Sequence, residues 1–141
     1  ADLVWQPTQN LSFLASFGHI DAKVEKDTNA ARIGAPLVGV PANSARLWAN
    51  YTLTDGALKG LSFGAGLYAA SKQSVMLGGP WRTQSYATLD GKIAYQYENW
   101  TFSVVGKNLA DRRYFIPYSF LDGHVAPAAG RTIYATLSAK L

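Results

Sequence analysis

The chain has 141 residues, a formal net charge of +4, a mean hydropathy of −0.03 and no cysteine. Disulfide and thiol chemistry are therefore excluded, and no run approaches the ~18 apolar residues of a membrane-spanning helix. The 13 Lys and Arg are scattered, with only Arg112 and Arg113 adjacent, so the basic balance makes no nucleic-acid footprint.

Period two governs the chain from its start, which argues for strands. A partial strand covers residues 2–6. Next, Leu11, Phe13, Ala15 and Phe17 alternate with Ser12, Leu14, Ser16 and Gly18. Ala45, Leu47, Ala49, Tyr51 and Leu53 alternate with Arg46, Trp48, Asn50 and Thr52. Leu61, Phe63, Ala65, Leu67 and Ala69 follow, then the series from Ala87 to Tyr97, then Trp100, Phe102, Val104 and Gly106. Ile133, Ala135, Leu137, Ala139 and Leu141 make the last set. Seven strands are predicted.

The spacers alternate strictly between short and long. Residues 7–10, 54–60 and 98–99 are short and carry the Pro, Asn, Asp or Gly that reverse a chain. Residues 27–43, 72–85 and 109–130 are long. An up-and-down meander then has every tight turn at one end and every long loop at the other. Outer-membrane barrels show that asymmetry, with short periplasmic turns and long extracellular loops. Trp5, Tyr51, Tyr97 and Trp100 lie beside the short turns, whereas Tyr68, Trp81, Tyr86, Tyr114, Phe115, Tyr118 and Phe120 lie toward the long loops. Two aromatic bands suit two membrane interfaces. Arg46, Asn50, Asp90, Lys92, Gln96, Lys107 and Lys140 all fall opposite the apolar set; a barrel would show them to a wet or plugged lumen and a soluble sheet to bulk water, and both readings satisfy the residues. The fold class expected is all-β, an antiparallel up-and-down transmembrane β-barrel with about seven strands here, part of a larger barrel.

Four strings carry a resemblance: GVPANSARLWANYTL, GALKGLSFGAGLY, SYATLDGKIAYQYENWTFSVVGKNLADRRYF and GRTIYATLSAKL. In order and spacing, over nearly the whole chain, they resemble TonB-dependent siderophore receptors. Asn108, Leu109, Asp111 and Tyr114 fall on the family's N-L-x-D-x-x-Y. Tyr86 and Asp90 fall on its Y-x-x-x-D, and Arg131 and Thr132 on the R-T that opens the closing strand. The resemblance implies architectural roles for these residues, with Asn and Asp satisfying freed backbone groups and Tyr114 at the interface. Leu141 takes the register of the family's terminal aromatic, which implies weaker docking in the barrel-assembly machinery. Gly130 stands where Pro is more usual.

The same resemblance implies a barrel of ~22 strands, of which residues 1–141 are the C-terminal portion. The plug domain and TonB box are then absent from these residues. It further implies a bacterial outer-membrane receptor that imports a ferric siderophore, is energised by TonB, and needs no cofactor of its own.

No G-x-S-x-G, H-E-x-x-H, P-loop or C-x-x-C is present, and nothing argues for catalysis or for a metal site. Binding fits better. The second long loop carries Trp81 and Arg82, and the third carries Tyr118, Phe120 and His124 together with Arg112, Arg113, Tyr114 and Phe115. Aromatic faces with guanidinium groups suit a chelate with aromatic or hydroxamate arms and net negative charge. Asp111 with Arg112 and Arg113 reads as a loop ion pair. Gly64 and Gly66 read as close packing or strand bending. Two other readings stand beside this one: a small stand-alone outer-membrane barrel acting as an adhesin or structural protein, and a soluble β-sandwich binding carbohydrate.

Overall fold

The computed structural model describes residues 1–118, 120 and 122–140. Its strands, in chain order, are β1 (Asp2–Trp5), β2 (Leu11–His19), β3 (Asn43–Thr52), β4 (Leu61–Ala70) and β5 (Tyr86–Tyr97). They continue with β6 (Trp100–Lys107), β7 (Phe115–Pro117), β8 (Val125–Pro127) and β9 (Thr132–Ala139). The sheet runs β1-β2-β3-β4-β5-β6-β9, and β7 and β8 pair separately as a hairpin. Its seven antiparallel strands match the alternating sets in the sequence. The hairpin was not expected: it lies inside the third long loop.

Register decides what the sheet is for. Paired residues across a sheet share one face. One row reads Phe13, Ala49, Ala65, Gly91, Gly106, Ile133, and the next reads Leu11, Tyr51, Phe63, Ile93, Val104, Ala135. On the other face the rows read Ser12, Asn50, Gly64, Lys92, Val105, Tyr134 and Ser16, Arg46, Tyr68, Thr88. Each apolar set therefore lands on the same side, because six consecutive pairings keep the period-two phase.

That apolar side is uncovered. Leu67 is 51% exposed, Ile93 54% and Leu137 64%. The buried apolar residues are Ala35, Ala70, Val75 and Ala94, and the two within the sheet, Ala70 and Ala94, pair along the polar face. Among the described residues the other sheet is the two-stranded β7–β8 hairpin, too small to cover this face as the second layer of a sandwich would. Each large side chain left in water forgoes about 1.5–3 kcal/mol of burial, and contiguous apolar faces of this size mark a membrane or partner surface. A lipid bilayer would supply the missing layer. β3 and β4 have 10 residues each and β5 has 12, enough for the ~9–11 that cross a bilayer at a tilt.

Glycines let two side chains lie flat on the sheet. On the polar face the Trp48 indole covers Gly64 and Gly66: a Cβ on Gly64 would stand 2.5 Å from its Cζ2, and one on Gly66 would collide with Cε3. On the apolar face Leu109 sits over Gly91 and Gly106, with its Cδ2 2.5 Å from where a Gly106 Cβ would be. The close-packing reading of Gly64 and Gly66 therefore holds. Gly66→Val is expected to expel the indole and destabilise the sheet by about 1–3 kcal/mol, read as a red shift in tryptophan emission with a lower unfolding midpoint.

The three long connections, residues 20–42, 71–85 and 108–131, all leave the same end of the sheet. They are tied to one another. Gly39 N donates to Ser74 O at 3.0 Å, Gly123 N to Val75 O at 3.1 Å, and Leu77 N to the Asp122 carboxylate at 2.8 Å.

A candidate ligand cavity at the long-loop end

The third loop is fixed at its root by the motif residues. Asn108 ends β6 in the left-handed region, φ 49°, and is buried. Its Oδ1 accepts from Arg112 N at 2.8 Å, and its Nδ2 donates to Arg112 O at 2.9 Å and to Ala129 O at 3.3 Å. Its own N donates to Asp90 Oδ1 at 2.9 Å, while Lys107 Nζ meets Asp90 Oδ2 at 2.7 Å. Asp111, also at φ 49°, accepts from Arg131 N at 2.9 Å and so closes the loop's two ends. An ion pair of Asp111 with Arg112 or Arg113 is not among the contacts of the described residues. Its carboxylate serves a backbone N–H instead. Leu109 N extends the ladder to Leu89 O at 2.7 Å, and Thr132 opens β9 opposite Lys107.

Tyr114 differs from its interface reading. Its ring stacks on Tyr86 at 3.8 Å and 15°, and Tyr86 lies on the polar face, opposite Ala70. The side chain thus turns over the polar face and away from the apolar one. Burial pushes its phenol above the ordinary value, with Tyr68 and Asp90 adding to the shift. It is a neutral hydroxyl at physiological pH.

Between the second and third loops lies a cavity of about 490 Å³. Its apolar walls are Val75, Met76, Trp81, Tyr114, Phe115 and Val125, and its cations are Arg82, Arg112 and Arg113. Among the described residues no Asp or Glu lines it. Trp81 is 67% exposed and forms an open wall. Arg82 is committed in part: its Nη1 donates to Ser74 Oγ at 3.2 Å, Gly79 O at 2.9 Å and Trp81 O at 3.0 Å, holding its own loop together.

The cavity gathers only some of the loop candidates. Tyr118 and Phe120 pack on each other at 5.4 Å and 57°. Phe120 faces a separate depression of about 360 Å³ shared with Leu37, Val40 and Leu77. His124 is exposed, with Nδ1 3.1 Å from Asp122 O. Leu141 lies outside the described residues. Val75 and Met76 were missed as wall residues, and a short apolar pair in a loop gives no periodic signal.

Comparison with known proteins fits this geometry. The family described as TonB dependent receptor-like, beta-barrel, matches residues 1–109. The chain belongs to the TonB-dependent receptor β-barrel family. It is 33% identical over 135 residues to the metal-pseudopaline receptor CntO of Pseudomonas aeruginosa, covering 94% of this chain and 19% of that protein. The ferric yersiniabactin uptake receptor FyuA of Yersinia pestis superposes with a TM-score of 0.80 at 21% identity, over 96% of this chain and 22% of that one. For the ferric preacinetobactin receptor BauA of Acinetobacter baumannii the TM-score is 0.77 at 20% identity, over 96% and 20%. These structural likenesses speak for the fold. The chain spans about a fifth of the length of the curated relatives it matches. TonB-dependent receptors reside in the bacterial outer membrane, so the apolar face of this sheet meets lipid and the polar face lines the lumen.

Proposed function

We propose that this segment belongs to an outer-membrane receptor that binds a metal–siderophore chelate at its long-loop end and imports it with energy from TonB. The cavity between the second and third loops carries this reading. One of its walls, Tyr114, stacks on Tyr86 of the polar face, and the cavity combines aromatic walls with cationic guanidinium groups. A volume of about 490 Å³ falls in the ~300–1,000 Å³ range of small-molecule sites. The relation to a metal-pseudopaline receptor supports a metal chelate as cargo.

On this reading residues 1–141 are the C-terminal portion of a barrel of ~22 strands. The plug and the TonB contact then belong to other parts of the receptor, and the terminal strand engages the barrel-assembly machinery. The open edges of β1 and β9 support further strands on both sides, since an unpaired edge invites pairing. Trp81, with Arg82 as its brace, is the wall residue set to contact cargo. Tyr118, Phe120 and His124 do not line this cavity and are the weaker candidates for contact with cargo.

The test is uptake of radioactive iron, presented as carboxylate, hydroxamate and catecholate chelates, by cells carrying the complete receptor. Trp81→Ala is expected to weaken uptake of the accepted chelate by about 10-fold. Tyr118→Ala or Phe120→Ala is expected to cost less. Unchanged uptake in all three variants would remove the loop end as the binding site.

A further inference from the structure

The cavity's charge is one-sided in a way that names its ligand's chemistry. Arg112 and Arg113 stand on its wall, among the described residues no acidic one does, and the ion pairs among them are Lys23–Asp21 and Lys107–Asp90. Neither arginine is therefore neutralised from within these residues. The backbone on either side of Arg113 is also held. Asn108 grips the Arg112 backbone at N and O, 2.8 and 2.9 Å. One residue beyond Arg113, Tyr114 is fixed by its 3.8 Å stack on Tyr86 and by Ala128 N donating to its carbonyl at 2.9 Å. The arginine dipeptide starts from two anchored points, so less freedom is lost when it binds.

We infer that Arg112 and Arg113 recognise carboxylates, and that the chelate entering this cavity displays free carboxylate groups. This rests on the receptor reading above and narrows its ligand class. A guanidinium presents a planar fork of donors that matches the two coplanar oxygens of a carboxylate. Hydroxamate and catecholate oxygens are instead turned onto the metal, and leave no such edge facing outward. Trp81 and Phe115 then cover the aliphatic or aromatic body of the same molecule.

The experiment uses the complete receptor, purified in detergent, and follows quenching of tryptophan emission. The probes are ferric citrate, an iron(III) aminopolycarboxylate with an uncoordinated carboxylate arm, ferrioxamine B and a ferric tris-catecholate. The expected result is saturable binding of a carboxylate chelate, weakened by about 10-fold in Arg112→Lys and in Arg113→Lys. Lysine keeps the charge and loses the fork, and an unchanged melting curve shows that these variants fold. Binding confined to the hydroxamate or catecholate, within twofold in both variants, would overturn the carboxylate assignment and leave the receptor reading standing. Inorganic phosphate that displaces ferric citrate at equal concentration would also overturn it, in favour of a general oxyanion site. Failure of every chelate class to bind the wild type would overturn the receptor reading and this assignment together.

Discussion

Arginine at Ala49 is expected to destabilise the membrane-inserted protein by about 2–4 kcal/mol, while arginine at the next residue, Asn50, is expected to change stability by less than about 1 kcal/mol. The two positions share a strand and a depth, and differ only in face. Ala49 pairs with Phe13 and Ala65 on the apolar side, whereas Asn50 pairs with Ser12 and Gly64 on the polar side. Ala49 lies mid-strand, so a guanidinium there must be drawn from water into hydrocarbon or must bend toward an interface. At Asn50 the same group joins Lys92, one row member already charged. Urea unfolding of the receptor in lipid vesicles measures both. In a soluble sheet with two wet faces the pair would behave alike.

Removing the side chain that roots the third loop should have the next largest effect. Asn108→Ala is expected to cost about 3–4 kcal/mol locally. Three side-chain hydrogen bonds are lost at roughly 1 kcal/mol each, and alanine in the left-handed region adds about 1 kcal/mol of strain. Arg112 N, Arg112 O and Ala129 O all lose a partner at once. Hydrogen exchange should show faster exchange across residues 109–131, with β3 and β4 unchanged. Asn108→Asp should fall between, since it keeps the acceptor for Arg112 N and loses both donated bonds. Chelate affinity should drop with the loop, because Arg112 loses its fixed starting point.

The sheet was legible because its information is local. Alternation survives single departures: Leu14, Trp48 and Val105 sit on the polar face without changing the phase, since their neighbours all agree. The root of the third loop was legible in kind, as Asn and Asp next to a strand end suggest backbone partners. The partners themselves were not, because Asn108 with Ala129 and Asp111 with Arg131 are distant in sequence. The β7–β8 hairpin was invisible for a physical reason. Each strand has three residues and ends in proline, too short to show a period and unlike an interior strand.

Side-chain direction was the least legible part of the candidate site. Arg82 and Arg112 look alike in sequence. One spends a nitrogen on Ser74, Gly79 and Trp81, while the other has its backbone held and its guanidinium outside the ion pairs of the described residues. Tyr114 reads as an interface anchor until its stack on Tyr86 places it over the lumen. Tyr118 and Phe120 read as ligand contacts in sequence, whereas in the structure they pack on each other and neither lines the main cavity. Each depends on contacts between loops, which periodicity cannot carry.

Spin labels placed one at a time along β4, in the receptor reconstituted in vesicles, test the membrane-wall claim most directly. Labels at Phe63, Ala65, Leu67 and Ala69 are expected to relax with dissolved oxygen, and labels at Ser62, Tyr68 and Ala70 with a water-soluble nickel chelate. Water-soluble relaxation at both sets, with no period of two, would contradict a sheet whose apolar face meets lipid.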